Sequence, residues 1–288
     1  MIKYPYPVKQ CNIGSNIEIA YCDEGSGQYT LLFIHGLANY IPVFKHNIDF
    51  LKDHARCVAI DLPGNGLSSR GDYPFTLIFY AESVARFIQE MNLSKVVLVG
   101  HSMGGHVSLL IALRYPQLVD RLVLLGASGL EFYSDFEKTI MKSMLSLGAL
   151  MYGDAMSLEA AIQNSYYNEQ KKDAKHIISD LHKLMSGESG KYWRKMVQKN
   201  IEAMLDEQVV PFLKELMQPS LIIFGKHDAF IPNKLMHVSE TTEKLAKKAA
   251  ALIPNCELEL IPHSGHFVQI ESADKVNARI LQFLQKAV

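Results

Sequence analysis

Six short runs of apolar and β-branched residues punctuate this 288-residue chain, and each stops at a turn-forming residue. Residues 30–34 end at His35-Gly36, 56–60 at Asp61, 95–99 at Gly100, 121–125 at Gly126, 220–224 at Gly225 and 257–261 at Pro262. Continuous apolar runs of this length suit strands covered on both faces, as in a parallel sheet. Helical patterns lie between them. Residues 76–91 put Leu77, Tyr80, Val84, Phe87, Ile88 and Met91 on one face, and 103–115 and 273–286 behave alike. Strands alternating with helices predict an α/β chain with an open, doubly wound, mostly parallel sheet. The earlier stretch 8–20, broken by Gly14-Ser15-Asn16, reads as an antiparallel hairpin at the sheet edge.

The alternation stops after Gly129 and resumes at Pro219. Residues 130–218 carry helical patterns only: Met141, Met144, Leu145, Leu147 and Leu150 mark one helix, and 192–205 another. The expected organisation is therefore a core of residues 1–129 and 219–288, with 130–218 inserted as a helical cap.

Gly100-His101-Ser102-Met103-Gly104 follows one strand and opens a helix. This is the strand–turn–helix setting of a G-x-S-x-G nucleophile elbow, in which glycines let a strained serine project above the sheet at a helix N-terminus. A neutral serine needs a base. His266 follows the last strand, so it falls on the same sheet edge as Ser102; His263 is its rival. The base needs a carboxylate to fix its tautomer. Asp228 follows the strand 220–224, whereas Gly126-Ala127-Ser128-Gly129, after the strand 121–125, offers none. Asp61 reads as a turn former. The oxyanion hole is expected from the backbone N–H groups of Met103 and Leu37. His35 is expected to hold the latter loop, and it is also a candidate for the pocket wall.

These residues together resemble the α/β-hydrolase superfamily, over nearly the whole chain. His35-Gly36, the stretch from Asp61 to Ser68, the elbow at Ser102, Gly225-Lys226-His227-Asp228 and the stretch from Gly265 to Glu271 occur in that family's order, as does Ser, Asp, His. The resemblance implies the α/β-hydrolase fold with an inserted helical cap, and an esterase- or lipase-like capped serine hydrolase. A serine nucleophile departs from haloalkane dehalogenases and epoxide hydrolases. Leu37-Ala38-Asn39-Tyr40 departs from esterases with a glycine-rich oxyanion loop. Phe267 stands where meta-cleavage C–C hydrolases usually carry Trp. His106 is expected to be structural.

One fold hosts many chemistries, so the substrate has to be read from the pocket. Met144, Trp193 and Phe267 are further candidates for its wall. Met141 and Met151 fit either the pocket or the packing of the cap, and Arg194 reads as a surface cation beside Trp193. The expected reaction is hydrolysis of a carboxylic ester of a small or medium, largely apolar acyl compound. A C–C bond hydrolase, a thioesterase or amidase, and a hydrolase-like ligand receptor are the alternatives.

A formal net charge of -1 gives no basic surface for nucleic acid, so a small molecule is the expected partner. The four cysteines have no metal-ligand spacing, and no metal or cofactor is expected. Neither a secretory h-region nor an apolar run of membrane-spanning length is legible, so the cytoplasm is the expected location.

Overall fold

The computed structural model describes residues 3–146, 160, 163–167, 172–185 and 188–286. Among these residues eight strands form one sheet: β1 (Lys9–Asn12), β2 (Glu18–Glu24), β3 (Thr30–Ile34), β4 (Arg56–Ile60), β5 (Val96–His101), β6 (Arg121–Leu125), β7 (Ser220–Gly225) and β8 (Cys256–Ile261). Their order is β1-β2-β4-β3-β5-β6-β7-β8. The hairpin β1–β2 occupies one edge, and β2 also runs antiparallel to β4. The remaining pairings are parallel. All six runs are thus strands, although 257–261, with two glutamates, forms a half-buried edge strand and not one covered on both faces, and their parallel pairing puts their C-terminal ends on one edge of the sheet.

Every residue of β3, β5, β6 and β7 is buried, as a sheet covered on both faces requires. The covering helices are α1 (Lys45–Leu51), α2 (Leu77–Glu90), α3 (Met103–Arg114), and, after β7, α7 (Thr242–Leu252), α8 (Val268–Glu271) and α9 (Ala273–Leu284). Helix α2 starts at Thr76, whose hydroxyl accepts from the Phe79 N–H; such a cap stabilises a helix by about 1 kcal/mol. Its stripe Leu77, Tyr80, Val84, Phe87 and Ile88 is buried, as its spacing predicts. Helix α3 is buried continuously from Met103 to Ala112, which places it centrally between the sheet and its neighbours.

Between β6 and β7 lie α4 (Asp135–Ser146), α5 (Lys172–Met185) and α6 (Glu188–Asp206). Helices α4 and α5 both pack on α6. No strand occurs here among the described residues. Leu147, Leu150 and Met151, expected on a helix or pocket wall of this stretch, lie outside the described residues. No described helix is long and apolar enough to cross a membrane.

Candidate active site

Strand β5 delivers Ser102 into the first turn of α3 with φ 52° and ψ -119°. A positive φ is uncommon for a residue with a Cβ and marks a conformation held by its surroundings. The surroundings here are tight. The Ser102 N–H donates to the Leu125 carbonyl at 3.0 Å, and the Ser102 carbonyl accepts from Gly105, His106 and Ser128. A Cβ on Gly104 would lie 2.1 Å from the carbonyl oxygen of Ile34, so only glycine lets α3 sit this close to β3. A Cβ on Gly36 would lie 2.9 Å from the Cβ of Ser102. The loop after β3 therefore passes directly against the serine, and the next residue along it is Leu37.

Two other strand ends bring an acid and a histidine together. The imidazole Nδ1 of His266, after β8, lies 2.9 Å from Oδ2 of Asp228, after β7. The other oxygen, Oδ1, accepts from the N–H groups of Phe230 at 2.9 Å and Ile231 at 3.0 Å. Both side chains are buried. An ionised carboxylate with these acceptances holds Nδ1 as the protonated nitrogen and leaves Nε2 with the lone pair, the tautomer that a general base requires. The rival His263 is exposed and its Nδ1 meets the hydroxyl of Tyr167.

Ser102 and His266 open onto one cavity of about 340 Å³, near the lower end of the ~300–1,000 Å³ range for small-molecule sites. Its floor comes from the sheet edge: Leu37, Ala38, Phe230, Ile231 and Phe267. Its opposite wall comes from the inserted stretch: Tyr133, Met141 of α4, and Ile201, Met204 and Leu205 of α6. The walls are thus largely apolar, with Asn39, Glu131, Asn233 and Lys234 among the polar groups.

The structure brings Ser102, His266, Leu37, Phe267 and Met141 to this cavity, with Asp228 behind the histidine and Met103 opening α3 directly after Ser102, whereas Trp193, Met144 and His35 fall elsewhere. Trp193 is buried beside a separate small hollow that includes Gly64, Asn65 and Arg70, because its face of α6 turns toward the loop after β4. Met144 is half-buried on α4 and is not part of the wall; Met141, one turn earlier, takes that place. His35 is fully buried under its loop and does not line the cavity. Its Nδ1 lies 2.8 Å from the Gly36 carbonyl, while its Nε2 accepts from the Leu62 N–H at 3.0 Å. Burial pushes its pKa down to about 4, so it is a neutral tie between two loops.

Asp61 and His106 are structural in the same sense. The Asp61 carboxylate accepts from the N–H groups of Ile41 and Leu67 and from the hydroxyl of Tyr4 at 2.6 Å. Burial nevertheless raises its pKa to about 6. His106 is buried in α3 and its Nε2 meets the Glu207 carbonyl at the end of α6, 2.8 Å away. Burial lowers its pKa to about 4. Arg194 is exposed.

Sequence reasoning missed the wall residues Phe230, Asn233, Ile201, Met204 and Leu205, and above all Glu131. That glutamate lies two residues past the stretch after β6 in which no carboxylate was found. It is buried, but its oxygens accept from the Asn233 N–H at 2.8 Å, the Tyr133 hydroxyl at 2.6 Å and the His237 imidazole. His237 in turn reaches Glu137 at 3.1 Å, so this carboxylate ties the inserted stretch to the loop after Asp228. The signal that pointed to Asp228, a residue just past a strand's C-terminal end, applied to Glu131 and Phe230 as well.

The comparisons with known proteins agree with this architecture. Residues 29–273 match the family described as the alpha/beta hydrolase fold, and the chain belongs to that family. It is 26% identical over 290 residues to a 2-hydroxy-6-oxononadienedioate/2-hydroxy-6-oxononatrienedioate hydrolase of Burkholderia vietnamiensis, covering 95% of this chain and 93% of that protein. Among solved structures it superposes on a probable hydrolytic enzyme of Pseudomonas aeruginosa PAO1 with a TM-score of 0.84 and 24% identity, covering 99% of this chain and 96% of that one. It superposes on a thermophilic esterase of Thermogutta terrifontis with a TM-score of 0.78 and 22% identity, covering 97% and 98%.

Proposed function

We propose that this hydrolase cleaves a carboxylic ester of a small or medium, largely apolar acyl compound through an acyl-enzyme. The observation that carries the reading is the convergence of a serine at a strained elbow and an aspartate-held histidine on one apolar cavity. Ser102 attacks the ester carbonyl while His266 Nε2 takes its proton. The N–H groups of Leu37 and Met103 receive the developing oxyanion, in a setting where water exclusion strengthens each hydrogen bond. His266 then protonates the leaving alcohol, and water, activated by the same imidazole, releases the acid. Asp228 stabilises the imidazolium in both halves. The insertion of residues 130–218 acts as a cap: its Tyr133, Met141, Ile201, Met204 and Leu205 supply the wall opposite the sheet edge and so govern the choice of acyl group.

A C–C bond hydrolase is the second reading, favoured by the likeness to the Burkholderia enzyme, whose name specifies a dioate. The wall chemistry argues for the ester instead. A dianionic substrate calls for cations at the cavity wall, and the wall here holds the Glu131 carboxylate. Among the described lining residues the cation is Lys234, which is exposed and donates to the Glu240 carbonyl at 2.7 Å. Turnover of p-nitrophenyl esters from acetate to decanoate, measured beside a meta-cleavage dienoate, tests the choice. Ester turnover with a chain-length optimum supports the proposal; dienoate cleavage with negligible ester turnover sinks it, and no turnover of either supports a ligand receptor.

A further inference from the structure

The backbone of His266 has both of its polar groups engaged, and by different parts of the fold. Its carbonyl faces the Nε2 of His101, on the strand that carries Ser102, at 3.1 Å. Its N–H donates to the Ser165 carbonyl, in the inserted stretch, at 2.8 Å. The residues next to each partner tighten the second joint. The rings of Tyr166 and Phe267 stack with centroids 4.7 Å apart and planes 9° from parallel. The Glu271 carboxylate bridges the two segments, accepting from the Gly265 N–H at 2.9 Å and from the Tyr167 N–H at 2.8 Å. A Cβ on Gly265 would lie 2.4 Å from the Ser165 carbonyl oxygen, so the contact is as close as two backbones allow.

We infer that Ser165, Tyr166, Tyr167 and Glu271 form a brace through which the inserted stretch sets the position of the His266 imidazole, making Tyr166 and Glu271 positioning residues for the reaction. The argument is geometric. His266 stands in a loop between β8 and α8, and a loop alone leaves an imidazole free to drift. Proton transfer needs Nε2 within hydrogen-bond reach of the serine oxygen, and a misplacement of about 1 Å costs on the order of 10²-fold in rate. One N–H···O bond, one flush aromatic stack and one two-armed carboxylate, on three consecutive residues of each segment, remove that freedom. A backbone acceptor at Ser165 also makes the hold independent of the side chain there. The helical insertion thus acts on the chemical step as well as on the choice of acyl group. This inference rests on the serine-hydrolase reading, but its consequences for the histidine do not require turnover.

The test uses the full chain and four variants: Tyr166→Ala, Tyr166→Phe, Glu271→Gln and Glu271→Ala. On p-nitrophenyl acetate, too short to depend on the distal wall, Tyr166→Ala and Glu271→Ala should lower kcat by roughly 10- to 100-fold with KM within about twofold. Tyr166→Phe, which keeps the stacked ring, should restore most of the rate. Glu271→Gln, near in shape but with one acceptor oxygen, should fall between. Independently of activity, proton NMR should show the downfield Nδ1–H of His266 in the native chain and in Tyr166→Phe, and its loss or broadening in Tyr166→Ala. Variants that keep both kcat and this resonance, or that raise KM at constant kcat, overturn the brace. If Tyr166→Ala does not fold, the near-isosteric Glu271→Gln decides the matter alone. If the native chain neither turns over esters nor reacts with a fluorophosphonate, the serine-hydrolase reading fails, and the resonance still decides the brace.

Discussion

The Nε2 of His101 lies 3.1 Å from the carbonyl oxygen of its near neighbour in space, His266, and the two rings stand 4.9 Å apart. The residue that precedes the candidate nucleophile therefore holds the loop of the candidate base. Because a carbonyl only accepts, Nε2 carries the proton, and burial keeps His101 neutral with its pKa well below the ordinary histidine value. His101→Ala should reduce ester turnover by roughly tenfold or more. His101→Gln, whose amide N–H reaches a similar point, should recover part of it. Equal rates in the two variants would show that the hydrogen bond is irrelevant and only the ring's volume counts.

Asp228→Asn leaves the shape of the acid but offers an amide to a histidine that needs an acceptor, so the wrong tautomer becomes available. It and His266→Ala should each lower kcat by roughly 10³- to 10⁶-fold, and the double variant should be little worse than either, because members of such a unit fail together. Single-turnover assays of the three proteins check this. Near-normal turnover in Asp228→Asn would remove Asp228 from the mechanism.

Chain-length preference should follow the residues that line the cavity. Met204→Ala and Ile201→Ala enlarge the wall contributed by α6 and should shift relative kcat/KM toward longer acyl esters. Trp193→Ala, beside a different hollow, should leave the preference unchanged while lowering stability by about 3–5 kcal/mol through the cavity it creates. A preference that tracks Trp193 and ignores Met204 would mean that the acyl group lies elsewhere.

Acid should destabilise the fold well before ordinary carboxylates titrate. His35 and His106 have pKa values near 4 in the folded chain and His101 lies well below its ordinary value, against about 6.5 unfolded. The unfolded chain therefore binds more protons between about pH 6.5 and 4, so stability is full above 6.5 and falls as pH drops through that window. Asp61 opposes this: its folded pKa of about 6 exceeds the ordinary 3.8, so the native chain gains that one proton first. Three buried histidines outweigh the two carboxyls that burial raises, Asp61 and Glu207, and leave a net loss of stability on acidification. Thermal melts at pH 7.5 and 5.0 should show a lower Tm at pH 5.0. His106→Gln, which can still donate to the Glu207 carbonyl, should make the slope shallower; an unchanged or rising Tm on acidification contradicts this account.

The strands were legible because parallel strands buried on both faces are written as unbroken apolar runs, and 30–34, 56–60 and 121–125 coincide with β3, β4 and β6. The doubly wound α/β sheet followed from those runs, and the α/β-hydrolase fold from the family resemblance that the elbow and the other strand-end motifs carry. Residues at strand ends, such as Ser102, Asp228 and His266, were accessible to the same logic because the sheet edge gathers them. The cavity wall was not. Which face of α6 looks at Ser102 depends on how that helix rotates against α4 and α5, and an amphipathic stripe does not distinguish the core from a cavity. Trp193 and Met204 both sit on partly apolar faces of α6, and only packing separates them. Glu131 escaped because a buried carboxylate is recognised by its partners, and Asn233 and His237 are about 100 residues away in sequence.

Ser102 is proposed as the activated nucleophile, and covalent labelling tests this assignment at the reacting atom. The native chain, incubated with a fluorophosphonate probe and digested, should carry the adduct on the peptide containing Ser102. Ser102→Ala should fold with an unchanged circular-dichroism spectrum and carry none. Labelling of Ser102→Ala at the native rate would place the nucleophile elsewhere and contradict the account.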